Sequence, residues 1–149
     1  MNNQHLKLTN RWFDINPLAK IHTVQTKLYN DFNRSAYRNY IIAAGRRSFK
    51  TERFAKRLLV SEALKKRNYK KIFFAGAPTR LQAKEIFWED LKGLTPSDTI
   101  KKISETALKI EILAGGIIRV IGLKEFKRVQ GQLMHGIVLS EYQDCDPGV

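Results

Sequence analysis

The prediction of the fold starts from the stretch NYIIAAGRRSFKT at residues 39–51. Its apolar part, residues 39–44, is typical of a strand buried on both faces of a parallel sheet, and it ends at Gly45. A helix is predicted over residues 51–66, because the apolar side chains there form one stripe. A strand that leads through such a loop into a helix directs backbone N–H groups and the positive helix end at one point, which suits a phosphate group. The stretch therefore predicts a phosphate-binding loop.

This loop matches the standard pattern G-x-x-x-x-G-K-[ST] only in part. Lys50 and Thr51 stand at the positions whose side chains reach the β- and γ-phosphates and ligate magnesium. Ala44 and Phe49 replace the two glycines. Phe49 tolerates neither the unusual backbone angles nor the close approach to phosphate that glycine allows. We expect residues 45–51 to bind a nucleotide because of their context, and an ordinary strand-to-helix turn with solvated basic side chains is the alternative.

The succession of strand, turn and helix recurs further along the chain. Short apolar or β-rich runs stand at residues 71–76, 108–113, 117–121 and 136–139. The first leads through an Ala-Pro-Thr turn into a helix predicted over residues 80–91, and the middle two flank an Ala-Gly-Gly turn and predict a hairpin. An amphipathic helix is predicted over residues 18–32, after an N-terminal arm at residues 1–17. The alternation predicts an α/β domain over residues 18–149, with a mostly parallel central sheet and an inserted β-hairpin.

The end of the last predicted strand supplies an acidic side chain. Glu141 lies where a P-loop ATPase places the carboxylate that orients or deprotonates the attacking water. Ser140 replaces the aspartate expected next to it, so its hydroxyl would hold magnesium through a water molecule. A solvated acid at a strand end is the alternative. Two half-motifs at strand ends, in the right chain order, nevertheless support each other.

The charge of the chain indicates a polyanionic partner. Lys and Arg number 27 against 14 Asp and Glu, a formal net charge of +13, and nucleic acid is the leading candidate. A well-solvated basic surface is the alternative. The single cysteine, Cys145, cannot form an internal disulfide, and no Cys/His cluster has zinc-ligand spacing. No apolar stretch approaches the roughly 18 residues needed to cross a bilayer, so we expect a soluble protein inside the cell that binds no membrane.

Together these segments resemble the N-terminal ATPase domain of the large terminase subunit of tailed bacteriophages, the motor that drives viral DNA into procapsids. The resemblance covers about residues 18–148 and is carried, in chain order, by residues 43–51, 77–79, 82–84, 88–91, 121–123 and 131–142. It implies a three-layer P-loop fold of the RecA-like (ASCE) type, with ATP and Mg²⁺ as cofactors and double-stranded DNA as substrate. It also implies a homo-oligomeric ring, contacts with the portal protein and the small terminase subunit, and a place in the host cytoplasm at the portal vertex.

The resemblance further implies roles for individual residues. Gln25 looks like the glutamine that recognises adenine, and Arg46 and Arg47 lie in the terminase-type arginine-rich loop, where one of them can sense the γ-phosphate. Many members carry an arginine that acts on the neighbouring subunit's ATP at the position of Gln130, and here Arg128 is the candidate substitute. The implied nucleotide-binding residues are Gln25, Gly45, Arg46, Arg47, Ser48, Phe49, Lys50 and Thr51. The implied catalytic residues are Glu141, Arg46, Arg47 and Arg128, and the implied magnesium ligands, through water, are Thr51 and Ser140.

The resemblance implies that the sequence ends before the remaining strands of the ATPase sheet and before a nuclease domain. We therefore expect a truncated ATPase domain, and hydrolysis by this chain alone is an open question. Two other functions stay open. A non-hydrolysing P-loop module for DNA binding or assembly is favoured by Phe49, Ser140 and Gln130. A helicase-like ATPase fragment is disfavoured, because the chain lacks the helicase-type Asp-Glu pair and carries the arginine-rich loop.

Overall fold

The computed structural model describes residues 23–34, 39–43, 50–66, 68–124 and 131–145. Residues 23–26, 29, 33, 50, 52 and 53 are described in their backbone alone. The predicted N-terminal arm lies outside these ranges. The chain divides into two units, Met1–Leu58 and Leu59–Val149, and each is described by itself. Within the described ranges, none of the helices has the length and apolar character required to cross a bilayer.

The first unit contains a helix and a wide helical turn. Helix α1 is Thr23–Arg34, and it confirms the described part of the amphipathic helix predicted from residue 18. The Phe32 ring lies with its centroid 4.9 Å from that of Tyr40, so the segment after the helix packs back on it. A π-helical turn, Lys50–Ala55, then leads into α2, Lys56–Leu64. The helix predicted over residues 51–66 is confirmed, with a wider first turn.

The buried strand predicted over residues 39–44 is wrong for the part that the structure describes. Residues 39–43 are neither strand nor helix, and Ile41 is 98% exposed. An apolar run with strand propensity becomes a strand only where a neighbour takes up its N–H and C=O groups. The run alone was therefore insufficient evidence for a strand.

The second unit is built on a five-stranded mixed sheet in the order β2-β3-β4-β1-β5. The strands are β1 Lys71–Ala77, β2 Ile100–Ser104, β3 Lys109–Ile112, β4 Gly116–Gly122 and β5 Gly136–Leu139. β1 runs parallel to β4 and to β5, whereas β3 is antiparallel to both β2 and β4. The predicted hairpin is confirmed as β3 and β4. The expectation of a mostly parallel sheet is wrong, because the antiparallel meander of β2, β3 and β4 forms half of the pairings.

One long helical segment follows β1 and closes the core. It consists of α3 Arg80–Ala83, a π-helical turn Lys84–Trp88 and α4 Glu89–Leu94, which confirms the helix predicted over residues 80–91. Thr79 begins it with a capping box, in which the Gln82 N–H donates to the Thr79 hydroxyl and the Thr79 N–H donates to the Gln82 side chain. The fully buried side chains are largely aromatic or aliphatic, among them Phe87, Trp88, Leu91, Ile110 and Ile118.

Two glycines of β4 allow neighbouring backbone to approach the sheet closely. A Cβ atom added at Gly116 would lie 2.0 Å from the carbonyl oxygen of Ala63 in α2. A Cβ atom at Gly122 would lie 2.3 Å from the backbone nitrogen of Arg80. No other residue type fits at these distances, so the end of α2 and the start of α3 are set directly on β4.

Candidate functional site

The carboxyl ends of β4, β1 and β5 lie at one edge of the sheet. Ala77 of β1 pairs with Gly122 of β4, and Gly76 of β1 pairs with Leu139 of β5. In α/β proteins with parallel strands, ligands bind outside the carboxyl ends of those strands. This edge, in the unit Leu59–Val149, is the candidate functional site.

Ser140 is the first residue beyond β5 and is fixed against β1. Its N–H donates to the carbonyl of Gly76 at 2.9 Å, which extends the parallel pairing by one residue. The residue is buried. The backbone at the second predicted motif is therefore held by the sheet. Its predicted role toward magnesium stays a prediction.

Glu141 follows with an unusual backbone. Its φ of 55° and ψ of 39° lie in the left-handed region, which costs a non-glycine residue about 1 to 2 kcal/mol. The side chain is exposed, and its Oε2 accepts a hydrogen bond from Gln143 Nε2 at 3.3 Å. A 3₁₀ turn, Tyr142–Asp144, begins directly after it, and the Asp144 N–H donates to the Glu141 carbonyl. Strained backbone at an exposed acid is characteristic of functional sites.

The end of β1 contributes backbone rather than free side chains to this edge. The Lys124 N–H donates to the carbonyl of Pro78 at 3.2 Å, which joins the segments that follow β4 and β1. The hydroxyl of Thr79 serves the capping box of α3. Lys124 itself is exposed. Among the described side chains at the end of β1, the polar one therefore stabilises a helix.

Cys145 is close to Glu141 but is not activated. Its Sγ lies 3.9 Å from the Glu141 carbonyl oxygen. Burial, with a smaller contribution from the negative charge of Asp144, raises the pKa of the Cys145 thiol. A raised pKa lowers the thiolate fraction at neutral pH, and the thiolate is the nucleophile. The arrangement does not favour nucleophilic catalysis by Cys145.

Of the other predicted site residues, those that the structure describes lie in the first unit. Gln25 lies within α1, and Lys50 and Thr51 open the π-helical turn, where Thr51 is half-buried. Lys50 and Thr51 thus stand at the beginning of a helical segment, and their role toward phosphate and magnesium stays a prediction. Thr51 belongs to one unit and Ser140 and Glu141 to the other. The predicted residues that lie outside the described ranges are Gly45, Arg46, Arg47, Ser48, Phe49, Arg128 and Gln130.

The two predicted magnesium ligands each carry a suitable atom. Hydroxyl oxygens are ligands that Mg²⁺ accepts, with water completing the shell, and Thr51 and Ser140 each have one. Within the described ranges no three His, Cys, Asp or Glu side chains stand together as a metal site. A site of this kind depends on phosphate oxygens and water for most of its ligands.

The second unit also contains a hollow, which the sequence did not predict, between α3 and the β2–β3 turn. Its volume is about 450 Å³, and it is lined by Arg80, Leu81, Lys84, Glu105, Thr106 and Leu108. Its carboxylate is already engaged, because Glu105 accepts from Trp88 Nε1 at 2.6 Å and from Lys92 Nζ at 2.9 Å. The hydrogen bond from Lys92, and next that from Trp88, lower the pKa of Glu105. Glu105 therefore links the helical segment that follows β1 to the β2–β3 turn.

The carboxyl edge is the better candidate, because it combines an exposed acid, a strained backbone and the carboxyl ends of three parallel strands. The sequence located Ser140 and Glu141 there but gave no sign of the left-handed conformation. Among known proteins, no family model, no curated protein and no solved structure matches this chain.

Proposed function

We propose that this chain is part of the ATPase domain of a DNA-packaging motor of the large terminase type, and that it binds ATP with Mg²⁺ to drive double-stranded DNA. The observation that carries the proposal is the exposed, left-handed Glu141, the second residue after β5 at the carboxyl edge. A strained acid at this edge is where a P-loop ATPase needs its catalytic carboxylate. The finer fold proposed with this function is the RecA-like P-loop arrangement.

The proposed roles follow from the chemistry of phosphoryl transfer. Glu141 orients the attacking water or takes its proton, and the strained backbone holds the carboxylate in position. Lys50 offsets the negative charge of the β- and γ-phosphates, and Thr51 supplies a hydroxyl beside it. Thr51 and Ser140 would hold Mg²⁺ through water, and the ion would supply positive charge that offsets the negative charge of the phosphates. Gln25 would recognise the adenine, and Arg46, Arg47 or Arg128 would act on the γ-phosphate.

The proposed setting is that of the resembling family. The chain would work in a homo-oligomeric ring in the host cytoplasm, at the portal of a procapsid and together with the small terminase subunit. Its net charge of +13 supports a DNA substrate, because basic side chains release counterions from the phosphate backbone on binding. In a ring, Arg128 of one subunit would act on the ATP of the neighbouring subunit.

Nucleotide binding is the test of this proposal. A non-hydrolysable ATP analogue with Mg²⁺ should release heat in calorimetry and raise the melting temperature. At about 100 times the Kd the stabilisation is about 2.7 kcal/mol, which raises the melting temperature of a chain this size by several degrees. Lys50→Ala should abolish both signals, whereas Lys101→Ala, an exposed lysine of β2, should keep them. If the analogue gives neither heat nor a shift, the motor function fails for this chain.

A non-hydrolysing module that binds DNA or serves assembly is the second candidate. Two observations favour it: Ser140 stands in place of an aspartate, and residues 39–43 do not form the strand expected before the loop. This candidate predicts no response to the ATP analogue and salt-dependent DNA binding that is unaffected by Lys50→Ala. The same two variants therefore separate the candidates.

A further inference from the structure

The connection between α2 and β1 is the most basic short segment of the second unit. Residues 65–71 read KKRNYKK, with five basic side chains and no acidic one. Lys66 and Lys70 are exposed, and no ion pair joins either of them to another described side chain. Lys65 is bound to Glu62. Unpaired cations on both sides of a tyrosine leave a local positive charge that a polyanion would neutralise.

Tyr69 stands in the middle of this segment with an open ring. It is 54% exposed, although an aromatic side chain gains most by burial. Lys71 Nζ lies 6.0 Å from the Tyr69 ring centroid and 5.8 Å from that of Phe73, distances at which a cation and an aromatic ring attract each other. The His135 ring lies 5.7 Å from the Tyr69 ring at an angle of 30°. Tyr69 is therefore supported by neighbours while about half of its surface faces solvent.

His135 is held in place by both its backbone and its ring. The Ile72 N–H donates to His135 Nδ1 at 3.1 Å, and the His135 N–H donates to the Ile72 carbonyl at 2.9 Å. These two bonds fix the imidazole beside Tyr69, at the amino ends of β1 and β5. A pair of rings that is ordered beforehand loses little side-chain entropy when a further ring stacks on it.

The charge around this aromatic pair is separated from the acidic end of the sheet. Tyr69 and His135 precede β1 and β5, whereas Glu141 and Asp144 follow β5. The seven residues of β1 span about 20 Å at roughly 3.3 Å per residue. That distance exceeds the Debye length of about 8 Å at physiological ionic strength, so the acidic side chains repel little here.

We propose that Tyr69, His135, Lys66 and Lys70 form a binding site for single-stranded nucleic acid. A base stacks on the exposed ring of Tyr69, and the two lysines bind the phosphates on either side of it. Open aromatic rings between cations are the usual means of holding a single strand, since every base has a π face. In a duplex, both faces of a base are already stacked on its neighbours. Binding at this site requires no nucleoside triphosphate. The site lies at the edge of the sheet opposite the one that carries Glu141.

Tyr69 variants test the stacking. The full chain is titrated, without ATP, into fluorescein-labelled oligo-dT or oligo-rU of about 20 nucleotides, and fluorescence anisotropy gives the affinity. Tyr69→Ala should weaken binding by about 5- to 150-fold, the loss expected for one stacked base. Tyr69→Phe keeps the ring and should bind like the original chain. The two oligonucleotides represent single-stranded DNA and single-stranded RNA, so their comparison tells which of the two is preferred. Unaltered binding by Tyr69→Ala, with an unaltered melting temperature, would overturn the proposal.

Paired lysine variants test the location of the charge. Lys66→Gln with Lys70→Gln should reduce the slope of log affinity against log salt by about 1.4, at roughly 0.7 per phosphate contact with a single strand. Lys101→Gln with Lys102→Gln removes the same charge from exposed positions of β2 and should leave the slope unchanged. An equal reduction by both pairs would mean diffuse attraction and would overturn the site.

Discussion

Glu141 is the residue at which stability and proposed function conflict. A side chain in the left-handed region is strained, and glycine relieves this strain at some cost in chain entropy. We predict that Glu141→Gly raises the free energy of unfolding by about 0.5 to 1 kcal/mol. The same variant should bind the ATP analogue and, under conditions in which the original chain hydrolyses ATP, fail to hydrolyse it. Urea unfolding and phosphate release under the same conditions measure both effects.

The matched control is Asp144→Gly, in the 3₁₀ turn that follows. Backbone angles in such a turn are ordinary for any residue, so glycine there only adds chain entropy and should not stabilise. Stabilisation by both glycines, or hydrolysis that survives Glu141→Gly, would contradict the role given to Glu141.

The sequence placed this acid at a strand end. Its left-handed backbone comes from the pairing of Ser140 with Gly76 and from the turn after it, and no local pattern announces such a combination.

Glu105 gives a second prediction at this scale, concerning acid stability. Lys92, and next Trp88, lower the pKa of its carboxyl in the folded chain. A lowered folded pKa contributes stability above the unfolded value, near pH 4.5, and this contribution is lost as the pH falls through the folded value. Glu105→Gln should therefore be less stable than the original chain at pH 7, and the difference should shrink as the pH falls below about 4.

Thermal unfolding of both chains between pH 3 and pH 7 measures this difference. Glu85→Gln is the matched control, since Glu85 is an exposed glutamate on the same helical segment without an ion pair to any described residue. It should follow the original chain at every pH. A difference for Glu105→Gln that is constant over the whole range would assign the effect to packing rather than to charge.

At the scale of elements, glycine has opposite effects in β4 and in α4. Gly116→Ala should destabilise the chain by roughly 3 kcal/mol or more, because its Cβ would lie 2.0 Å from the Ala63 carbonyl oxygen and helix and sheet must move apart. Gly93→Ala is the control. It lies in α4 with no atom within 4 Å of an added Cβ, and it should stabilise by about 0.5 to 1 kcal/mol. Urea unfolding gives both values, and a shared sign would contradict the close contact.

The elements also show which patterns a sequence can reveal. The helices at residues 51–66 and 80–91 and the hairpin of β3 and β4 were predictable, because periodicity and an Ala-Gly-Gly turn are local signals. Strand β2 was missed. Its sequence IKKIS lacks the apolar alternation of an inner strand, and lysines on an edge strand serve to prevent further pairing. At residues 39–43 a strand was predicted that the structure does not contain. This error has the same cause, because the sequence of a segment does not show which strand will pair with it.

At the scale of the whole molecule, the basic charge is unequally divided. Of the net charge of +13, the first 60 residues hold 12 basic and 3 acidic side chains, which leaves +9 there. Lys27 and Arg34, both exposed on α1, are seven residues apart and so lie on one face of that helix. We place the proposed contact with double-stranded DNA in this basic region, whereas the proposed single-strand contact belongs to Lys66 and Lys70.

These two contacts predict a crossed result. Lys27→Gln with Arg34→Gln should reduce the salt slope for a labelled duplex by about 1.8, at roughly 0.9 per phosphate of B-form DNA, and leave the slope for oligo-dT unchanged. Lys66→Gln with Lys70→Gln should reduce the slope for oligo-dT and leave the slope for the duplex unchanged. Each pair of substitutions removes two charges. If bulk electrostatics alone acts, both pairs should lower the slope for the duplex and the slope for oligo-dT alike. That outcome would mean one diffuse basic surface instead of two binding surfaces. The crossed pattern requires that each probe contacts its own set of cations.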